Sequence, residues 1–585
     1  MAIINIEDFF KFGIQDPINR LAYTPEDANY KLMCMKRMQD LGMRIQIDKL
    51  GNIIGTLPST KRTGKKIVME SHTDSVFDGG QYDGVVGVYS ALSAAEQIKQ
   101  SGEDVYADIV VAICACEESS RFGKACLGSR YIGEKNTMQQ PQETFERLLK
   151  GKKEAKTLLE QLSSLKDKNG ITAEEAISEY LRYINGNLSN FGVDATKVSF
   201  VDRALSEDEI TEAYEVHIEQ AKVLTKSGID IGVVSSIAEP VRGKLVIDGE
   251  DAIIVAAKSV MELTAITKES ESKGEEDLRI TIPQFDCLGT PDSTEPNKKA
   301  KDKRRTIVST DDNKLVEITV NGENAHSGAT PMDERKDAVV AISDLILRLS
   351  EFSSCINFLD TRTPQWGTNQ VQNKVNMILN IASPDMEDAI LEKIVEIEKQ
   401  YNVQIEMKEI EKAEVPEKPK MELTVDARQQ HDRTGNGTRD RLYQAFVDMQ
   451  HNRGVSKSRG AKTKANIGFH ITGKNTPVKT SSVLVDEVAG ICSQNGILYK
   501  RMPSWAGHDL AFVFSKSNTL GKRVLIFIPH NEPKGISHNP EESTSKEHIE
   551  RGAKVLYQLC QSRLEKMRKS LIHLSSRDDK ESDAR

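Results

Sequence analysis

"GKKIVMESHTDS", Gly64–Ser75, is the stretch whose reading decides the fold. Its apolar run, Ile67–Met69, opens into a polar end. "GVVGVYSALSAAEQIKQ" (84–100) follows with helical spacing, and "ADIVVAICACEESS" (107–120) is a second apolar strand with charge at its exit. Strands separated by helices predict a parallel or mixed sheet with helices on both faces, and such sheets keep their chemistry at the carboxyl ends of strands. His72, Asp74, Glu117 and Glu118 stand at those ends. Near the C-terminus "RVLIFIPHNEPKGISHNPEE" (523–542) reads as a strand and a polar loop, residues 543–567 as a closing helix, and residues 571–585 as a polar tail with no reason to fold.

With 585 residues the chain exceeds what one core holds, so two or three domains are expected. A net charge of −9 with 29% charged residues argues against nucleic acid as a partner, and the basic run Lys298–Arg305 reads as a solvated loop. No apolar stretch approaches the roughly 18 residues of a membrane span. "MAIINIEDFFKFG" (1–13) lacks a basic region leading into an apolar core, so no membrane partner and a cytoplasmic location are expected. Eight cysteines without a metal-type CxxC fit reduced thiols, and Cys114 and Cys116 read as small buried strand residues.

His72 and Asp74 are two apart, on one face of an extended strand. Further on, Asp83 precedes Gly84, which lets the backbone turn tightly beside a ligand. The adjacent Glu117 and Glu118 form a like-charge pair that calls for cations or water. His538 lies in a loop containing glycine and proline, "GISHNPEE", the kind of segment that carries ligands. His217 in "EAYEVHIEQ" (212–220), taken alone, is more often a hydrogen-bonded structural residue than a metal ligand. Together these imidazoles and carboxylates suffice for two divalent cations.

The chain resembles the M20 metallopeptidase superfamily, and within it the hydantoinase/carbamoylase-type amidases: N-carbamoyl-L-amino acid hydrolases, β-ureidopropionases and allantoate amidohydrolases. The motifs that carry the resemblance are "SHTDSVFDGGQYDGVVGV" (71–88), "CEESSRFGKACLGSR" (116–130), "EVHIEQAKVL" (215–224), "NAHSGATPMDERKDA" (324–338), "MPSWAGHDL" (502–510) and "IFIPHNEPKGISHNPEE" (526–542). The resemblance implies that Asp83 bridges two metal ions, that His72 and His217 complete one site, and that Glu118 and His538 complete the other. It implies Glu117 as general base and places Gln220 and His508 at the substrate pocket. Asp74 is then expected to hydrogen-bond the outer nitrogen of His72 and fix its tautomer. Such a ligand set suits Zn or Mn, with Co or Ni as further options. The histidine of "HIEQ" tilts the reading from peptides toward ureido and amide substrates, because peptidase-type relatives usually have a carboxylate there.

The expected fold is therefore α/β: a mixed-sheet, dinuclear-metal catalytic domain (1–238 and 476–570) with an inserted α+β lid. Lid residues 239–475 exceed twice the length of the family's single lid and read as two copies, one nested in the other: an outer copy in two halves, 239–312 and 412–475, around an inner copy, 313–411. "GKLVIDGEDAIIVAAKSVMELTAI" (243–266) echoes "VEITVNGENAHSGATPMDERKDAVVAISDLILRL" (316–349), and "MELTVDARQQHD" (421–432) with "TRDRLYQAFVDMQ" (438–450) echoes "VNMILNIASPDMEDAILEKIVEIEKQ" (375–400). The losses are complementary. The inner copy keeps His326 but has Ala382 where the outer copy has Arg428. In dimeric relatives this histidine comes from the partner subunit, so a monomer with a pseudo-dimeric lid is expected, with a homodimer as the alternative. His326 would then steady the oxyanion, Arg428 would grip a substrate carboxylate by a two-pronged ion pair, and Asn369 would line the pocket. The expected activity is hydrolysis of a linear amide or ureido C–N bond in a small molecule that bears a carboxylate. An M20-type dipeptidase or N-acyl-amino acid deacylase, and a non-catalytic binding protein on this fold, are the rival readings.

Overall fold

The computed structural model describes residues 5–13, 17–61, 63–134, 158–249, 251–272, 278–287, 304–310, 313–363, 370–382, 386–416, 420–429, 465–474, 478–514, 521–531 and 536–582. Its first unit is built on a ten-stranded mixed sheet. Four strands lie parallel and side by side in the order Lys522–Ile528, Glu212–Ile218, Lys66–His72, Asp108–Cys114. Their side chains are buried on both faces, which is why they read as near-continuous apolar runs rather than alternating ones. Antiparallel strands flank them, Ile53–Leu57 beyond Asp108–Cys114 and Ile231–Ile237 beyond Lys522–Ile528. Helix Val85–Ser101 lies across the parallel strands, and the last helix, Lys546–Ser582, packs on it and on Lys522–Ile528.

That last helix corrects the expectation of a polar tail. It does not end near residue 567 but continues to Ser582. Arg568 and Lys569 pair with Glu565 at helical spacing, and the run is rich in good helix formers, so helix propensity carries it beyond its buried part. The basic run Lys298–Arg305 is corrected at its end, where Arg304–Val308 is a strand paired antiparallel with Lys412–Pro416. Residues 298–303 lie outside the described residues.

The second unit begins with strand Glu239–Gly249 and ends with strand Ala465–Lys474. It holds two four-stranded antiparallel sheets. One has the order 465–474, 239–249, 420–429, 278–287; the other has 404–410, 314–321, 374–381, 356–362. Taken in chain order, the strands of the two sheets occupy the same places. In each, a helix follows the first strand, Ala252–Ser272 in one and Ala338–Leu349 in the other. These helices pack on each other, the edge strands Leu278–Cys287 and Ile356–Arg362 approach, and one apolar core serves both sheets. The two crossings between the sheets, 304–308 and 412–416, run together as the paired ribbon.

Candidate active site

The four parallel strands deliver most of the site from one edge. His72 ends its strand with Cys114 directly beside it, so Glu117 and Glu118 follow where the neighbouring strand exits. His217 lies next to last in Glu212–Ile218 with Phe527 opposite, and the chain beyond Ile528 returns with His538. Asp83 comes from the turn before helix Val85–Ser101. There Gly84 has φ +67°, and a Cβ on it would lie 2.4 Å from His72 Nε2, so only glycine lets the turn approach the imidazole this closely. Cys116 and His538 also have positive φ, a strain that tends to collect at functional sites.

The described residues hold two buried ligand groups that share Asp83: His72, Asp83 and His217, and Asp83, Glu118 and His538. His217 Nε2 is 3.2 Å from Asp83 Oδ1, while His538 Nε2 is 3.2 Å from Asp83 Oδ2 and 3.1 Å from Glu118 Oε1. His72 Nδ1 donates to the Asp74 main-chain carbonyl at 3.0 Å, and His217 Nδ1 donates to the Ile218 carbonyl at 2.8 Å. Each ring is thereby left with a bare Nε2, and the two Nε2 atoms face each other at 3.4 Å. Two lone pairs and a carboxylate converging in a buried space repel one another until a cation lies among them, so the donor set fits a divalent metal. Burial pushes His72 down to about 3, which keeps its ring neutral and ready to ligate.

Asp74 does hold His72, but not by the atom expected. Its carboxylate stands 3.8 Å from His72 Nδ1 and instead accepts the backbone N–H groups of Glu117 (3.2 Å) and Glu118 (3.0 Å). Those amides turn the chain at the strand exit and outcompete the imidazole for the carboxylate, leaving the carbonyl to fix its tautomer. Asp83 is held from the other side by Glu542, which accepts from the amides of Tyr82 (2.8 Å) and Asp83 (3.0 Å). Behind His72, Thr73 donates to Asp27, which pairs with Lys31 at 3.0 Å, both side chains fully buried. Glu542, Asp27 and Lys31 were not picked out from the sequence, where only the "PEE" end of the last motif hinted at Glu542.

Glu117 belongs to neither ligand group, yet it lines the same cavity. Burial first, then the nearby carboxyls of Glu118, Asp509, Asp74 and Asp83, push its carboxyl well above the usual range, as befits a group that must pick up a proton. Gln220 lines the cavity with Nε2 3.2 Å from His217 Nδ1. His508 does not line it. Its Nε2 lies 2.9 Å from Ser504 Oγ and its Nδ1 faces Glu215, so the ring is held edge-on against His217, 4.8 Å between centroids. It packs behind His217. Asn369 lies outside the described residues.

The lid supplies the opposite wall. His326 accepts at Nδ1 from the amides of Gly328 (3.2 Å) and Ala329 (2.9 Å), so its proton is on Nε2. Burial, then Arg428 and His538, lower its pKa well below the ordinary value, and the ring is a neutral N–H donor. Its loop is tied down by Asn539, which donates to the Asn324 carbonyl beside His538 at 3.0 Å. Arg428 reaches the cavity from the outer sheet, but not with a free fork. Nε and Nη2 donate to Asp426 Oδ2 (3.3 and 2.9 Å), Nη2 to Ser327 Oγ (3.2 Å) and Nη1 to the Trp505 carbonyl (3.1 Å). In this structure the fork expected to meet a substrate carboxylate is taken by Asp426. Arg130, the last residue of the motif 116–130, and Arg242, which reads as an isolated surface arginine, also line the cavity.

A mixed α/β sheet thus carries at its strand ends two groups of side chains that could hold metal ions. Residues 68–562 match peptidase family M20/M25/M40, and the chain belongs to that family. It is an enzyme, a hydrolase of the amidohydrolase kind that its relatives represent. It is 23% identical over 92% of its length to a ureidoglycolate hydrolase of Oryza sativa subsp. japonica, covering 79% of that protein. It is 30% identical to the allantoate amidohydrolase of Bacillus subtilis over 40% of this chain and 48% of that one. It is 22% identical to an N-carbamoyl-L-amino-acid amidohydrolase of Paenarthrobacter aurescens, over 95% and 96% of the two chains. Among solved structures, a hydantoinase/carbamoylase family amidase from Burkholderia ambifaria is similar with a TM-score of 0.47 and 17% identity, over 95% of each chain. Among the described residues no helix is long and apolar enough to cross a membrane.

Proposed function

We propose that this chain hydrolyses a linear ureido or amide C–N bond of an N-carbamoyl-amino acid or allantoate-type substrate, with two divalent cations, Zn or Mn, held by His72, Asp83, Glu118, His217 and His538. The observation that carries the reading is the pair of ligand groups sharing Asp83, with Glu117 beside both and in neither. When bound, the cations supply Lewis acidity: they lower the pKa of water in the cavity and polarise the scissile carbonyl. Glu117 takes one proton from the attacking water as its oxygen bonds to the carbonyl carbon. His326 donates Nε2–H to the oxyanion that develops, and its neutral state lets it do so without bringing an extra charge. Glu117 then returns the proton to the departing nitrogen as the C–N bond breaks. A carbamoylated amino acid gives the free amino acid and carbamic acid, which decomposes to carbon dioxide and ammonia.

The lid reading belongs here as well. Strand order, helix placement and the shared core of the two four-stranded sheets support an internal duplication, with the inner copy offering His326 and the outer copy Arg428 to one site. One chain carrying both halves supports a monomer. Lid closure over the cavity, with hinges near residues 239 and 475, would exclude bulk water; residue 475 lies outside the described residues.

The test is a panel on metal-reconstituted protein: N-carbamoyl-amino acids, allantoate and dipeptides, with released ammonia and new amino groups measured. Ammonia from the first two classes supports the reading, and turnover of dipeptides alone overturns it in favour of a peptidase.

A further inference from the structure

Beyond Glu117 and Glu118 the chain loops out and returns against itself. Cys126 N–H donates to the Glu117 carbonyl (2.9 Å), Leu127 N–H to the Cys116 carbonyl (3.0 Å) and Gly128 N–H to the Ala115 carbonyl (2.8 Å), so residues 126–128 lie against 115–117. The fully buried Asn52 locks the far end of this contact, accepting from Ala115 N–H (2.9 Å) and donating to the Gly128 carbonyl (3.0 Å). A Cβ on Gly128 would lie 1.9 Å from Asn52 Oδ1, so glycine is what lets the two stretches close.

That closure sets Cys126 beside Glu117. Its Sγ–H donates to Glu117 Oε1 at 3.3 Å, and among the described residues this is the one hydrogen bond that the carboxyl receives. Cys126 is 1% exposed and lines the cavity. Its φ of +59° is a left-handed conformation that residues other than glycine adopt only at a cost. Burial first, then Glu117 itself, push the thiol well above its ordinary range, so the sulfur keeps the proton that it donates. A thiol is a weak donor, and it holds the carboxyl in place without drawing off much of its charge. With Oε1 held, Oε2 is the oxygen left to meet the attacking water and then the departing nitrogen.

Resting on the reading of Glu117 as the base, we infer that Cys126 is a positioning residue for the reaction, its S–H holding Glu117 Oε1 and aiming the other oxygen at the proton to be moved.

The experiment compares metal-loaded wild type, Cys126→Ala, Cys126→Gly and Cys126→Ser on N-carbamoyl-alanine and allantoate, each protein checked for folding and metal content. Cys126→Ala should lower kcat by about 10-fold with KM and metal content unchanged. Cys126→Gly, which relieves the left-handed strain but brings no donor, should be as slow. Cys126→Ser, which brings a donor at nearly the volume of alanine, should recover part of the loss. Equal losses in Cys126→Ala and Cys126→Ser make Cys126 a packing residue and overturn the inference, as does wild-type kcat in Cys126→Ala. In the Glu117→Gln background Cys126→Ala should cost nothing further, and a second 10-fold loss there also overturns it. The infrared S–H stretch reads the contact without turnover: the band that Cys126→Ala removes should move to higher frequency in Glu117→Gln, and a band that stays in place overturns the inference. If wild type hydrolyses neither compound, the ureido reading falls, and the band still decides whether the thiol holds Glu117.

Discussion

On the sheet side of the cavity His72, His217, Asp83 and the turn at Glu117 and Glu118 are pinned from behind. His72 and His217 are fixed by carbonyls, Asp83 is set by amides that Glu542 holds, and the turn at Glu117 and Glu118 is clasped by Asp74. On the lid side His326 and Arg428 are equally constrained, but Arg242 is not. Parallel strand ends offer a converging set of directions that the backbone itself can lock. The lid presents its side chains from the opposite wall, and there the locking is uneven.

The largest effect should fall on the sheet side. Glu117→Gln should reduce kcat by about 10²–10⁴-fold while leaving metal stoichiometry unchanged; metal analysis beside steady-state kinetics checks both, and unchanged kcat removes Glu117 as the base. Next is Lys31→Met, which strands the buried Asp27 carboxylate beneath the His72 strand end. Denaturant unfolding should show a loss of about 3–5 kcal/mol. Burial alone would lower the Lys31 pKa, but Asp27 more than reverses this and the net shift is upward. A raised folded-state value leaves the stabilisation complete below the unfolded value of about 10.4, so the full loss should be seen at pH 9. No loss at pH 9 would mean the pair is not the source.

The lid side should respond more narrowly. His326→Ala should lower kcat by about 10²–10³-fold with little change in KM, since the donor acts on charge that develops during reaction. If KM rises instead and kcat holds, His326 binds substrate and the contrast between the two walls weakens. The smallest change concerns assembly. A duplicated lid that completes its own site should give a monomer by light scattering near the 65.1 kDa of one chain, and a tight dimer joined through the lid would break the pseudo-dimer reading.

The catalytic sheet was legible because its strands are apolar throughout and end in charge, so His72, Asp83, Glu117, Glu118, His217 and His538 could be placed together before any geometry was known. In the lid, the strand and helix patterns that echo each other in sequence fall in two sheets of matching strand order. What stayed hidden depends on which atom of a side chain is used. Nothing in "SHTDS" tells that Asp74 holds His72 by its carbonyl while its carboxylate clasps two amides, since both contacts need the neighbouring strand. His508 read as a pocket residue because its motif lies next to the pocket, where Gly507 is the residue that reaches it. Arg242 was invisible because an isolated arginine reads as a surface residue, and only the lid fold turns it toward the cavity. The helical tail escaped notice because solubility and helix propensity rise together in its Lys, Arg and Glu residues.

The ribbon formed by Arg304–Val308 and Lys412–Pro416 changes how the inner copy must be regarded. Both ends of that module leave through one doorway, five residue pairs wide, so its entry and exit cannot drift apart. It is joined to the rest of the chain as a leaf is joined by its stalk. A module attached this way can be lengthened, shortened or exchanged at the stalk without re-threading the outer sheet, and whatever motion brings His326 to the cavity passes through a single stem rather than two independent linkers.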